Sequence, residues 1–170
     1  GLIKPSSSRQ DITDSAAGAT AFASGVKTYN GAVGVADDST HVKSIIELIT
    51  DDNIKSGIIS TSSIVHATPA SFYAHALSRS FYDDIAVDLV NSKIDFFAGG
   101  GTQFFNERKD NYNLLDTLES REFKIDTTQL NNFLDVKSFS KLGYLLGKNH
   151  MPSVAEGRGD YLQKATPLGI

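Results

Sequence analysis

The sequence contains no cysteine. Disulfides and thiolate-bound metals are therefore excluded, while the compartment is left open. No apolar run approaches the length of a membrane span. There is no excess of positive charge either: 16 Lys and Arg face 20 Asp and Glu, a net charge of −4. Such a balance implies no nucleic-acid or anionic-membrane surface. Any phosphate site would be electropositive only locally, through a helix terminus, an arginine or a bound metal. Neither an internal repeat nor a low-complexity tract occurs, and no Asn-x-Ser/Thr glycosylation acceptor is present. The opening Gly1-Leu-Ile-Lys-Pro-Ser-Ser-Ser8 turns polar within four positions, unlike a secretory leader. A mature protein, a fragment or a cytoplasmic chain would all open this way.

What is present is ordinary for a globular chain. It has 170 residues, 40% apolar and 21% charged, enough for one domain with a sizeable core.

The most informative stretch runs from Asp11 to Gly34. Thr13-Asp14-Ser15 heads a run of Ala, Gly, Ser and Thr broken only by Phe22. Asp14 and Thr13 are natural N-cap residues and Gly25 a natural stop, which predicts a short helix over 15–24 with Ser15 in its first turn. The unpaired N–H groups of a helix N-terminus carry partial positive charge. A serine oxygen there is favoured as an alkoxide, and a phosphate is favoured beside it. The alternative reading is a capped, small-residue helix that merely packs tightly.

Further along, Asn30-Gly31 signals a type I′ turn between short extended pieces. Asp37 to Thr40 reads as a loop, and Val42 to Ile49 carries a helical apolar stripe. Gly57 to Ser63 reads as a strand. Thr68-Pro69 opens a helix, with Thr68 as cap and Pro69 at its first position, running towards Ser78-Arg79. A helix over 82–91 follows, then a strand over 94–98 ended by Gly99-Gly100-Gly101. Helices are expected at 114–121 and 129–134, strands at 123–127 and 142–146, and an extended loop from Asn149 onwards. This alternation predicts an α/β fold with a largely parallel sheet. Its sites would lie at the carboxyl ends of strands, as after Ser63 and after Ala98.

The stretch from Ser62 to Arg79 offers an imidazole, a hydroxyl and a guanidinium. Arginine suits phosphate because its planar fork donates two parallel hydrogen bonds. A threonine hydroxyl is a hard oxygen suited to magnesium. His66 could bind a metal directly or hold its water. Each has a plainer reading: Thr68 as a cap, Arg79 as a helix-end cation, His75 as a packing histidine. Arg79 lies eleven residues after Thr68, about 16 Å along an unbroken helix. For both to serve one site, the helix must end or bend before Arg79.

Together these stretches resemble the alkaline phosphatase family. The likeness is carried by Thr13-Asp-Ser-Ala-Ala-Gly-Ala-Thr-Ala21, Gly25-Val-Lys-Thr-Tyr-Asn-Gly31, Ala67-Thr-Pro-Ala70, Ala74-His75, Ser78-Arg79 and Asp95 to Gly101. It is specific from about residue 8 to 101 and weak beyond. The resemblance implies part of a central, largely parallel sheet flanked by helices. It implies hydrolysis of small phosphomonoesters through a phosphoserine at Ser15, a nucleophile that needs activation. Arg79 would hold two phosphate oxygens, Asp14 would orient Arg79, and Thr68 would bind magnesium. His66 stands where family members have Asp or His. Two zinc ions, about 4 Å apart, and one magnesium are implied for the intact enzyme, with Ser15 facing the zinc pair. A homodimer and a periplasmic or secreted location are also implied.

The chain departs from the family pattern. It lacks the Asp-Gly-Met-Gly-like segment of the first strand, the Glu-Gly-x-x-Asp-x-x-x-His-like segment, and two further histidine segments. Glu156-Gly157 is followed by Arg158-Gly159-Asp160 without the required histidine. Residues 1–170 are therefore expected to be a single partial domain, an internal piece with at most partial metal binding and little phosphatase activity alone. The rival is a non-catalytic phosphate-binding or interaction module. A serine esterase lacks its Gly-x-Ser-x-Gly elbow, and a P-loop lacks Gly-Lys after Gly101.

Overall fold

The computed structural model describes residues 2, 4–50, 54–130 and 140–169. The chain divides into two compact units, Gly1–Ile54 with Val65–Lys93, and Lys55–Ile64 with Ile94–Ile170.

The first unit contains α1 (Ser15–Ser24), α2 (Ile45–Thr50), α3 (Ala67–Ala70) and α4 (Tyr82–Asn91). Helix α1 has the predicted bounds. Asp14 caps it by accepting the Ala17 N–H at 2.9 Å, and Gly25 ends it in the left-handed conformation. Its buried face is Ala16, Ala17, Ala19, Thr20 and Ala23. Side chains this small let α3 come close: Ser71 Oγ donates to Ala67 O at 2.8 Å and lies 3.4 Å from Ala16 O. Thr20 Oγ1, also buried, accepts the Gly34 N–H at 3.0 Å.

Three expectations are corrected in this unit. Helix α2 starts at Ile45, not Val42, because Ser44 and Glu47 form a capping box. Glu47 Oε2 accepts the Ser44 N–H at 2.7 Å, and Ser44 Oγ accepts the Glu47 N–H at 3.3 Å. Helix α3 is four residues long, with His66 rather than Thr68 at its cap. Beyond it the backbone pairs elsewhere: Val33 and Ala76 exchange N–H to carbonyl bonds of 3.0 and 2.8 Å. The helix thus ends before Arg79, the condition under which Thr68 and Arg79 could share a site. Finally, Tyr29 to Ala32 is a turn, closed by Ala32 N–H to Tyr29 O at 3.2 Å. Only Gly31 of its central pair has positive φ, at 92°. A type I′ turn needs positive φ at both centres, so the geometry is of type II, and it joins no hairpin.

The second unit is built on a four-stranded sheet. Its strands are β1 (Gly57–Ser63), β2 (Phe96–Gly100), β3 (Phe123–Asp126) and β4 (Lys141–Leu145), in the order β1-β2-β4-β3 and all parallel. This is the α/β sheet that the alternation predicts. The inner strand β2 is buried throughout and rich in small and aromatic residues, as a strand covered on both faces requires. On one face Phe96, Ala98, Leu142 and Tyr144 pack with Tyr161 and Ala165. Phe97 meets Phe123 at a ring separation of 5.4 Å.

Strand β2 starts two residues later than expected and takes in Gly99 and Gly100. Asp95 is occupied instead in clasping Ser56: its N–H donates to Ser56 O at 3.0 Å, and its carboxylate accepts the Ser56 N–H at 3.1 Å. A Cβ at Gly100 would overlap the carbonyl of Asn149, which crosses it. Helix α5 (Gln103–Asn106) was not expected, whereas α6 (Leu114–Ser120) was. Gln129 and Leu130 are not helical, and the rest of the predicted 129–134 helix lies outside the described residues. The tail is not wholly extended: α7 (Tyr161–Ala165) runs into a 3₁₀ turn, Thr166–Gly169.

Candidate active site

Four of the five residues singled out from sequence come together in the first unit. Asp14 and Ser15 stand at the start of α1, His66 caps α3, and Arg79 follows the Val33–Ala76 pairing. Arg79 Nη1 donates to Ser15 Oγ at 2.7 Å and to Asp14 Oδ2 at 3.1 Å. Its Nη2 lies 3.1 Å from His66 Nε2. Arginine only donates, so in a hydrogen bond here His66 Nε2 is the acceptor.

Asp14 performs two tasks with two oxygens. Oδ1 caps α1 through Ala17, while Oδ2 accepts from Arg79 and, at 3.1 Å, from the Gly31 N–H. Partial burial pushes this carboxyl upwards. The N–H groups of Ala17 and Gly31, with the hydrogen bond and charge of Arg79, outweigh burial and hold it below its ordinary value. The site is thus a carboxylate, a guanidinium and a hydroxyl at a helix N-terminus, with Ser15 exposed to solvent. A guanidinium beside the serine oxygen favours its anionic form and can grip an incoming oxyanion.

Thr68 is placed differently. It is the second residue of α3 and is exposed. Among the described residues, no three His, Asp or Glu side chains come close enough to hold a metal ion. Zinc takes about four ligands and magnesium about six. Here Asp14 Oδ2 and His66 Nε2 face Arg79, and the hydroxyls of Ser15 and Thr68, even with His66, are too few to complete either site.

His75 is satisfied by packing partners. Nδ1 lies 2.7 Å from Gly34 O, Nε2 3.1 Å from Glu47 Oε1, and the ring stacks on His41. Sequence reasoning missed the side chain of Asn30, whose Oδ1 accepts the Asp14 N–H at 3.0 Å. Its Asn-Gly context signals a turn and says nothing of a side-chain brace.

The alkaline phosphatase family model matches residues 1–156. Alkaline phosphatase 3 of Bacillus subtilis strain 168 is 44% identical over 112 residues, 62% of this chain and 24% of that protein. Alkaline phosphatase 4 of the same organism is 41% identical over 134 residues, 75% of this chain and 29% of that protein. Among solved structures, alkaline phosphatase from the Antarctic bacterium TAB5 superposes with a TM-score of 0.96 at 56% identity. That match covers 99% of this chain and 49% of the TAB5 chain. A histidine-to-aspartate variant of the TAB5 enzyme, with magnesium bound in its M3 site, matches equally well, with a TM-score of 0.96 at 55% identity over 99% of this chain and 49% of that one. The chain therefore spans 24–29% of these curated relatives and about half of the solved ones.

Proposed function

From the premise that the chain belongs to the alkaline phosphatase family, we propose that it carries the phosphoryl-accepting half of a phosphomonoesterase. Ser15 Oγ attacks phosphorus as the bond to the alcohol oxygen breaks, and that oxygen leaves with a proton. Water then attacks the phosphoserine, releasing inorganic phosphate and restoring the hydroxyl. Splitting one displacement into two easier ones is the gain of covalent catalysis. Arg79 grips the phosphate, and Asp14 fixes the guanidinium. The observation that supports this reading is the pair of bonds from Arg79 Nη1 to Ser15 Oγ and Asp14 Oδ2.

Two zinc ions and a magnesium ion belong to the proposal for a full-length enzyme, in which they would supply Lewis acidity. Thr68, Ser15 and His66 would contribute only part of their ligands. A homodimer in a periplasmic or secreted location is the expected setting.

The test is a chimera in which this chain replaces the matching half of the TAB5 enzyme. Hydrolysis of an aryl phosphate, abolished by Ser15→Ala and reduced at least a hundredfold by Arg79→Ala, is the expected result. Acid-quenched protein should carry phosphate on Ser15. A folded chimera that binds phosphate through Arg79 without turnover would favour the non-catalytic phosphate-binding module instead.

A further inference from the structure

The Asn30-Gly31 turn touches both halves of the candidate site, and no functional reading so far uses its side chain. Asn30 Oδ1 accepts the main-chain N–H of Asp14 at 3.0 Å. Asn30 Nδ2 donates to Ile12 O at 3.0 Å and to Gln10 Oε1. The neighbouring Gly31 N–H donates to Asp14 Oδ2 at 3.1 Å, and Gly31 O accepts the main-chain N–H of Arg79 at 2.7 Å. With the Arg79 Nη1 to Asp14 Oδ2 bond of 3.1 Å, a circuit closes: Gly31 to Asp14, Asp14 to Arg79, Arg79 back to Gly31.

Each part of the circuit comes from a different stretch of chain. Asp14 lies sixteen residues before Asn30, and Arg79 lies sixty-five residues after Asp14. Loops like 10–14 have no ladder to fix them. The carboxamide of Asn30 substitutes for one, with its acceptor towards an N–H and its donor towards two oxygens. An amide offers an acceptor on one atom and two donors on another, where a short hydroxyl has a single proton to give. Aspartate has the same shape but would turn a carboxylate oxygen on Ile12 O and Gln10 Oε1.

We infer that Asn30 is a positioning residue for phosphate capture: its carboxamide locks the Asp14 segment to the turn that carries Arg79, and so sets the guanidinium against Ser15. This rests on the reading of Ser15 and Arg79 as the phosphate-handling pair. Asn30 touches neither of those two side chains and acts through Asp14 and Gly31.

Two measurements on the 170-residue chain test it. The first follows the guanidinium nitrogens by NMR in ¹⁵N-arginine-labelled protein, with Arg79 assigned from its loss in Arg79→Lys. The wild type should show slowly rotating, resolved Arg79 Nη signals. In Asn30→Asp, which keeps the shape, and in Asn30→Ala they should collapse to the averaged position of solvent-exposed arginines. A residue that merely stabilised its own turn would lower the melting temperature and leave these signals resolved, which overturns the inference. The second measurement titrates inorganic phosphate without metal. Both Asn30 variants should bind about tenfold more weakly, the worth of one lost brace. Unchanged affinity also overturns it. Should the wild type bind no phosphate, the functional reading fails for this chain, and the Arg79 signals alone decide the role of Asn30.

Discussion

Asp14 illustrates how much one side chain settles in this molecule. From sequence it reads as a helix cap, and by resemblance it orients an arginine. The structure shows both contacts, one on each oxygen. The meeting of Ser15 and Arg79 was foreseeable for the same reason: the resemblance that pairs them rests on short motifs. Asn30 was not, because its partners are a main-chain N–H, a main-chain carbonyl and the Gln10 side chain twenty residues away, none of which marks the sequence around it. Glu47 was not read: the Ser44–Glu47 spacing suits a capping box, but the apolar stripe from Val42 set the expected helix start, and the bond to His75, twenty-eight residues away, leaves no local mark. Burial pushes the Glu47 carboxyl up, yet the Ser44 N–H and the hydrogen bond and charge of His75 hold it below its ordinary value of 4.5. A carboxyl lowered on folding stabilises the fold fully above its unfolded value and loses that contribution as pH falls through the folded one. Glu47→Gln should therefore lower the melting temperature at pH 7, and the difference from wild type should shrink as pH is taken well below 4.5. Calorimetry at the two pH values checks this, and a gap that widened in acid would refute it.

At the scale of elements, α1, β1 and α4 fall where caps and periodicity put them. One failure comes from competition by tertiary bonds. The helix near Thr68-Pro69 forms, though it starts at Ala67 with His66 as cap, and Ala76 bonds to Val33 and Arg79 to Gly31, so the backbone leaves the helix early. Tyr161–Ala165 is hidden because five residues cannot display a period, with only Tyr161 and Ala165 buried. The pairing of Gly31 and Val33 with Arg79 and Ala76 depends on Gly34. It has φ of 60°, and a Cβ there would overlap the carbonyl oxygen of Ala74. Gly34→Ala should cost about 2–4 kcal/mol, combining left-handed strain with overpacking. A fall in the urea midpoint without change in its slope would register this. A midpoint within error of wild type would mean that the pairing tolerates a shift.

For the whole molecule, alternation of strands and helices was enough to anticipate a parallel sheet. The order β1-β2-β4-β3 was not, since order depends on which apolar faces meet and not on local pattern. The family was legible from motifs confined to 8–101, while the family model extends to residue 156. If the proposed function with its metal ions holds, the described residues supply only part of the ligands, and the 170-residue chain is expected not to turn over aryl phosphates, even with zinc supplied. Zinc-dependent release of aryl alcohol that vanishes in Ser15→Ala would contradict this directly.

Arg79 Nη1 has two protons, and the bonds to Ser15 and Asp14 use both. Under the proposed function, a phosphate oxygen that claimed Nη1 would displace one of these occupants, and the neutral hydroxyl is the weaker holder. That exchange would free Ser15 Oγ from the guanidinium as phosphorus arrives, so that the same arginine serves first the serine and then the phosphate.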